Sequence, residues 1–189
     1  MKKRVWQFLA LGLLCITAAV ANELLHSISF YYMKTPLYID TLFTAAVCFA
    51  TGLAPGLVTA LIPGVVFTVM TGNLTPFILC SIAEVFLVCL LKPSNARGRT
   101  PGGISVAQVA GIFARLTVLY IVCALAISVL GGVIDFIFYD VLQKPNEYFS
   151  PEDTFKIGLP DSGIPPLVIN ILSRIPVNIV DRFIVIFGG

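Results

Sequence analysis

Three ionisable side chains lie deep inside apolar stretches of the sequence, and they are the first candidates for a binding site. They are Glu84, Arg115 and Arg174. An ionisable group inside an apolar helix is costly unless it is paired or hydrated, so each of these residues needs a partner or a ligand. Counted at about 1.5 Å per residue from the expected helix ends, all three are predicted near the middle of a bilayer.

The last apolar stretch carries a regular series of polar residues. Asn170, Arg174 and Asn178 recur every four residues, and Asp181 and Arg182 follow them. On a helix, residues with this spacing lie on one broad face. Because such a face is unfavourable against lipid, we expect it to face other helices. Asp181 and Arg182 are expected to form a pair near the inner membrane surface or to face a partner protein.

Two interpretations of these charges remain open. In the first, Glu84 neutralises Arg174 or Arg115 inside the helical bundle and has only a structural role. In the second, the charges line a pocket that opens outward, where two arginines against one acid leave guanidinium donors for a carboxylate, phosphate or carbonyl group. The predicted substrate-binding residues are Glu84, Asn170, Arg174, Arg115, Tyr38 and Asn73.

The composition places these residues in a membrane protein. Of 189 residues, 58% are apolar and only 12% are charged, whereas ordinary soluble domains have about 25% charged residues. The sequence contains no long polar region that would form a separate soluble domain. We therefore predict a single transmembrane domain over residues 1–189.

Several classes of chemistry lack support in the sequence. The single His26 cannot form a metal site alone, and the five cysteines lie in apolar runs without a CxxC pair, which predicts reduced, buried thiols. There is no GxxxxGK[ST] nucleotide-binding motif, and no nucleophile and base share a helix face. The net charge of +2 comes without a basic, aromatic-rich tract, so nucleic acid is not an expected partner. We predict a protein that is not an enzyme and has no cofactor other than a bound small molecule.

The apolar stretches predict an all-α integral membrane protein with six transmembrane helices. Their expected ranges are 5–25, 36–51, 57–71, 77–91, 104–130 and 166–187. The second and third are shorter than the roughly 20 residues that usually span a bilayer, and a tight turn at Gly52–Gly56 joins them. Short spans that are punctuated by glycine and proline are typical of transport proteins.

Glycine and proline pairs are expected to interrupt two of these helices. Pro63-Gly64 should break the third helix, and Gly131-Gly132 should end the fifth. Residues 133–163 are then an outer loop, whose apolar start at Val133–Leu142 is too short to span a bilayer. It could lie along the membrane surface as an interfacial helix.

The basic residues predict the orientation. Positively charged residues are enriched in cytoplasmic loops, and six of them fall at the N-terminus and in the loop at 92–103, against three on the other side. Both termini are therefore expected in the cytoplasm, in a bacterial cytoplasmic membrane. A cleavable signal peptide ending at Ala19-Val20-Ala21 is an alternative for the first segment, which we expect to remain as a signal-anchor helix.

Two runs of the sequence carry a family resemblance: Pro36–Thr41 (PLYIDT) leading to Gly52–Gly56 (GLAPG), and the closing Ile175–Arg182 (IPVNIVDR). In these runs the chain resembles the substrate-binding S-components of energy-coupling factor (ECF) vitamin transporters. The resemblance extends over nearly the whole chain, with six helices and both ends inside.

This resemblance implies a subunit that captures a vitamin or related small molecule from outside. The pocket would lie among the fourth to sixth helices and the outer loops, and a transmembrane coupling subunit with two cytoplasmic ATPases would complete the importer. In the family, an Ala-x-x-x-Ala patch on the first helix docks the coupling subunit. Here only Cys15 and Ala19 have that spacing, with Ala18 nearby, and these three residues are the expected partner interface.

Other functions remain as alternatives. A membrane sensor module of the kind that precedes histidine kinases uses similar short hairpin spans. We expect an effector domain in such a sensor, and the sequence ends at Gly189 without one. An intramembrane enzyme and an unassigned polytopic protein are the remaining possibilities.

Overall fold

The computed structural model describes residues 2–32, 37–72, 75–93, 105–144, 153–156, 159 and 163–189, and they contain helices and no strand. Short π-helical turns, Ile28–Tyr32 and Phe136–Val141, continue α1 and α5. The helices are α1 (Lys2–Ser27), α2 (Leu42–Thr51), α3 (Leu53–Thr71), α4 (Ile78–Leu91), α5 (Val106–Asp135), the one-turn α6 (Asp153–Lys156) and α7 (Pro166–Gly188). The prediction of an all-α chain is therefore confirmed for the described residues.

Among the described residues, three helical segments are long and apolar enough to cross a membrane: Arg4–Ser27, Leu53–Thr71 and Val106–Val141. Helices α2 and α4 are apolar but have only 10 and 14 residues. Helix α7 has 23 residues, but three of them are charged. The structure thus supports three spans by length and composition, and six remains a prediction.

Helix α2 begins six residues later than the sequence predicts. Residues 37–41 precede it in a non-helical conformation, because their backbone groups form other hydrogen bonds. The N–H of Tyr38 donates to the Asp181 carboxylate at 2.9 Å, and the N–H of Asp40 donates to the carbonyl of Tyr38 at 2.7 Å. This half-buried connecting segment is therefore hydrogen-bonded to α7.

Gly131 and Gly132 do not end α5, as the sequence predicted, but lie inside it. A Cβ on Gly132 would lie 2.7 Å from the backbone N and Cα of Ile171, and one on Gly131 would lie 2.7 Å from Nη1 of Arg174. The two glycines are therefore needed for close approach between α5 and α7. The predicted outer loop at 133–163 starts later for the same reason, and Asp135 is the last residue of α5.

Pro63-Gly64 does not interrupt α3 either, since the helix continues to Thr71. A Cβ on Gly64 would overlap Cδ1 of Ile78, so this glycine lets α4 pack closely. The turn between α2 and α3 is tighter than expected. Gly52 alone separates the two helices, with a φ of +103° that favours glycine.

The largest apolar core lies where α2, α3, α4, α5 and α7 meet. Its fully buried members include Cys48, Val85, Val88, Leu119 and Val185. On one side of it, the rings of Tyr120 and Phe183 pack edge-on with centroids 5.9 Å apart, which brings the first half of α5 against the end of α7.

The small residues of α1 pack inside the chain. Cys15, Ala18 and Ala19 are all buried, and Cys15 and Ala18 belong to a cluster with Val47 of α2 and Ile62 of α3. The predicted docking surface is therefore an internal contact. Close approach through small residues was correctly expected, but α2 and α3 take the place of a partner protein.

The cysteines correct one expectation and confirm another. Cys48 of α2 and Cys89 of α4 are joined by their sulfur atoms, with Cα atoms 6.6 Å apart, whereas the sequence predicted only reduced thiols. Cys15, Cys80 and Cys123 are free.

Near the C-terminal end of α2, the Nζ of Lys92 donates to the carbonyl of Cys48 at 2.9 Å, which places a positive charge at that end of the helix.

Replacing Gly132 by alanine should destabilise the fold. The added methyl group would contact the backbone of Ile171, and overpacking of this kind typically costs about 1–3 kcal/mol. Thermal unfolding of the purified protein in detergent should therefore show a lower midpoint for Gly132→Ala.

Gly111→Ala is the matched control on the same helix, because no atom lies within 4 Å of its added Cβ. Alanine is favoured over glycine inside a helix by about 1 kcal/mol, so this variant should unfold at the parent temperature or above. Equal midpoints for Gly132→Ala and the parent protein would contradict the close approach of α5 and α7.

Candidate functional site: the polar face of α7

One face of α7 is polar and almost wholly buried in the bundle. This polar face consists of Asn170, Arg174, Asn178, Asp181 and Arg182, each no more than 6% exposed. The four-residue spacing in the sequence predicted the stripe and its inward direction. Each of its side chains forms at least one hydrogen bond with a group from another element.

Arg174 forms the central ion pair of what we name the Arg174 site, which comprises Arg174, Asp135, Tyr38 and Phe77. Its Nε donates to Oδ2 of Asp135 at 2.7 Å and its Nη2 donates to Oδ1 at 3.0 Å. This two-pronged geometry is the strong form of an arginine–carboxylate contact. Both side chains are buried.

Two aromatic rings flank the guanidinium of the Arg174 site. The Cζ atom of Arg174 is 5.0 Å from the ring centre of Phe77 and 5.9 Å from that of Tyr38. At these distances the ring quadrupole attracts the cation. The site therefore combines charged hydrogen-bonding groups with apolar walls, as small-molecule sites commonly do.

Further polar groups border the Arg174 site on one side. The Nδ2 of Asn170 donates to Oδ2 of Asp140 at 2.7 Å. The Nζ of Lys156 lies 3.9 Å from Oδ2 of Asp135 and 3.1 Å from Oδ1 of Asp153. Asp135, Asp140 and Lys156 all come from the segment that the sequence assigned to an outer loop.

The middle of the polar face is neutral. The Nδ2 of Asn178 donates to the hydroxyl of Ser128 at 3.0 Å, and that hydroxyl donates to the carbonyl of Ala124 at 2.7 Å. All three groups lie in the α5–α7 contact. This short chain of hydrogen bonds separates the Arg174 site from a second charged group.

The second charged group lies around Arg182 and is named the Arg182 cluster, comprising Asp40, Glu84, Asp181 and Arg182. Nη1 of Arg182 donates to Oε2 of Glu84 and, at 2.9 Å, to the hydroxyl of Thr41. Asp181 accepts the backbone N–H of Tyr38. Asp181 and Arg182 are thus fully interior, which corrects the expectation of a pair at the membrane surface or facing a partner.

The structure separates residues that the sequence placed together. Glu84 pairs with Arg182, not with Arg174 or Arg115, and the two arginines of α7 are about 12 Å apart along the helix.

Arg115 is exposed and lines a groove with Leu90, Leu91 and Lys92 at the end of α4. Of the other predicted site residues, Asn170 and Tyr38 lie at the Arg174 site, whereas Asn73 falls outside the described residues.

The sequence interpretation overlooked two members of the Arg174 site. Asp135 was assigned to a surface helix because Gly131-Gly132 suggested a break in α5. Phe77 was interpreted only as a helix start. Two buried arginines on α7 require two counterions, and Glu84 supplies only one. The second arginine therefore indicated that another buried acid was needed.

The described residues show no cluster suited to a metal. Within the described ranges, no three His, Cys, Asp or Glu side chains come together in a way that could hold a metal ion. Guanidinium and carboxylate groups next to aromatic rings suit a small molecule with hydrogen-bonding and apolar parts.

No known protein family, curated protein or solved structure matches the chain.

Removing the counterion of Arg174 should destabilise the protein strongly. Asp135→Ala leaves a buried guanidinium without its carboxylate, and breaking a buried pair in this way typically costs about 3–5 kcal/mol. The double variant Asp135→Leu/Arg174→Met removes both charges and should recover much of that loss. Thermal or denaturant unfolding in detergent measures both effects.

Asp153→Asn is the control for this comparison. It removes a carboxylate from the more exposed pair with Lys156, and pairs of that kind contribute about 0–1 kcal/mol. If Asp135→Ala were no more destabilised than Asp153→Asn, Arg174 would not depend on Asp135.

Proposed function

We propose that this chain is the solute-binding membrane subunit of an ECF-type importer. The observation that carries the proposal is the Arg174 site, in which a buried arginine–carboxylate pair lies against two aromatic rings. Four separate elements converge there: the segment before α2, the start of α4, the end of α5 and α7. The family resemblance implies a pocket among the fourth to sixth helices and the outer loops. A site built from α4, α5, α7 and the segment before α2 agrees with that expectation.

The distribution of polar and apolar residues supports a membrane location. Large apolar side chains are exposed on several helices, among them Trp6 at 72%, Met70 at 80% and Val106 at 86%. Buried positions, in contrast, include glutamate, aspartate, arginine and asparagine side chains. A surface that is apolar and an interior that is partly polar suit a protein surrounded by lipid.

Six spans with both termini in the cytoplasm belong to this proposal. Helices α2 and α4 are short, but each lies in the bundle against other helices rather than alone in lipid. Helix α7 buries its charged residues against α4 and α5, which removes the main cost of placing it in a membrane. The excess of basic residues at the N-terminus and in the loop at 92–103 orients the chain.

The ligand is proposed to be a small organic molecule, a vitamin or a related micronutrient, that is captured from outside. A carboxylate, phosphate or carbonyl group on it would bind Arg174, and its apolar part would contact Tyr38 and Phe77. Asn170 and Lys156 would contribute further polar contacts. ATP hydrolysis is assigned to two cytoplasmic ATPases, which act through a transmembrane coupling subunit.

The coupling subunit requires a docking surface other than the buried small residues of α1. Other surfaces of the bundle, including the exposed first turns of α5, are available to it. Purification of the chain from its native host under mild conditions should recover a coupling subunit and two ATPases. Recovery of a histidine kinase or another signalling protein in their place would favour the sensor alternative.

Arg174→Lys should weaken binding of the ligand that copurifies with the protein. Lysine keeps the charge but lacks the two-pronged geometry, and the loss of a charged hydrogen bond corresponds to roughly a tenfold to hundredfold lower affinity. Native mass spectrometry identifies the copurified molecule, and titration of the stripped protein with it measures the affinity.

Arg115→Lys is the matched control, since it makes the same change at an exposed arginine away from the Arg174 site. It should bind with the affinity of the parent protein. If Arg115→Lys lost affinity and Arg174→Lys kept it, the binding site would lie elsewhere. If no molecule copurified and none of a vitamin panel shifted the unfolding temperature, solute binding itself would be contradicted.

A further inference from the structure

The Arg182 cluster contains more acid than its single arginine can neutralise. Arg182 contacts Glu84 directly, and Asp181 precedes it in the chain. Asp40 is close enough to interact electrostatically with Arg182. Three carboxyl groups from three different elements therefore act on one buried guanidinium, and Glu84 is the one in direct contact with it.

Several polar atoms of the Arg182 cluster have no hydrogen-bond partner among the described residues. They are Oε1 of Glu84, Oδ1 of Asp181 and Nε of Arg182, and all three are buried. Glu84 is 2% exposed and Asp181 is 0% exposed. An ionised carboxylate in this situation is strongly unfavourable, because its charge is desolvated and one of its oxygens receives no donor.

Neighbouring groups in the described part of the chain do not restore the charge balance. Glu23 adds a fourth acid, and even a fully charged His26 would leave the acids in excess. Glu23 and His26 of α1 interact electrostatically with Asp40, and Cys80 of α4 and Cys123 of α5 interact with Glu84 and Arg182. Arg174, farther along α7, has Asp135 as its counterion, and the two thiols are neutral when protonated.

We propose that the Arg182 cluster is a proton-binding site, in which Glu84 stays ionised against Arg182 and Asp181 carries the proton on Oδ1. Glu84 is the ionised member because it contacts the guanidinium directly. From the described residues Asp181 accepts only a backbone N–H, which leaves its second oxygen available for a proton. Neighbouring carboxylates in one buried site do not all ionise together. The proton comes from solvent and returns to it, so no other reactant is required.

A metal cation is the other ligand that several carboxylates can attract. The described residues offer no group of three or more such side chains with suitable geometry. The guanidinium of Arg182 also lies directly against Glu84 and would repel a cation placed there. A proton requires neither several ligands nor space, and it removes the buried negative charge of Asp181.

Infrared spectroscopy of the full-length protein in detergent tests this site. The parent protein should show the carbonyl-stretch band of a protonated carboxylic acid at neutral pH, and the band should disappear as the pH rises. Asp181→Asn should abolish the band. Asp153→Asn is the control and should retain the band, because Asp153 lies in the more exposed pair with Lys156, away from the Arg182 cluster. The absence of the band from the parent protein, or its persistence in Asp181→Asn, would overturn the proposal.

Asp40→Asn provides a second, independent measurement. Removing one nearby negative charge makes ionisation of Asp181 easier, so the band should disappear at a lower pH, with proton affinity reduced about tenfold or more. The variant keeps Asp181 itself, and therefore tests the site even if Asp181→Asn fails to fold. An unchanged midpoint in Asp40→Asn would overturn the assignment.

Stability should report the same proton. The folded protein holds a proton that Asp181 releases on unfolding, so the folded state should lose stability as the pH rises above the ordinary range of an aspartate. The unfolding equilibrium should shift by up to about tenfold per pH unit in the parent protein, and this contribution should vanish in Asp181→Asn. An identical slope in the two proteins would contradict the proposal.

Titration in increasing sodium concentration separates a proton from a sodium ion. A midpoint that does not depend on sodium supports the proton site, and a midpoint that falls as sodium increases would overturn it in favour of a sodium site. The spectra are recorded without solute or partner proteins. Their outcome is therefore independent of the proposed import function.

Discussion

The need of two buried arginines for counterions governs the arrangement of this bundle. Arg174 and Arg182 lie on the same face of α7, and each must meet a carboxylate from another element. Asp135 at the end of α5 satisfies the first, and Glu84 in α4 satisfies the second. These two contacts fix α7 against α5 and α4, and Thr41 and Tyr38 add the start of α2 and the segment before it.

Close packing between α5 and α7 makes the contact between Arg174 and Asp135 possible. Gly131 and Gly132 remove side chains from the surface of α5, so that the backbone of Ile171 and the side chain of Arg174 approach it closely. Because the helix also continues through both glycines, Asp135 reaches the guanidinium of Arg174. The glycines and the ion pair are therefore parts of one interaction, and the Arg174 site depends on both.

The sequence predicted the elements better than it predicted their contacts. Hydrophobic stretches and the four-residue spacing of Asn170, Arg174 and Asn178 correctly indicated the helices and the inward face of α7. The predicted breaks at Pro63-Gly64 and Gly131-Gly132 were wrong, because glycine serves close packing as well as chain breaks. Which acid pairs with which arginine depends on how each helix is rotated about its axis and shifted along it relative to its neighbours. A single sequence does not contain this information.

The most direct test of this arrangement is a pair of double-mutant cycles on unfolding free energy. One combines Glu84→Gln with Arg182→Gln, and the other combines Glu84→Gln with Arg174→Gln. Contacting residues typically couple by about 0.5–3 kcal/mol, whereas distant ones are additive within roughly 0.5 kcal/mol. The observed packing predicts coupling in the first cycle and additivity in the second. Coupling of Glu84 with Arg174, and none with Arg182, would contradict it.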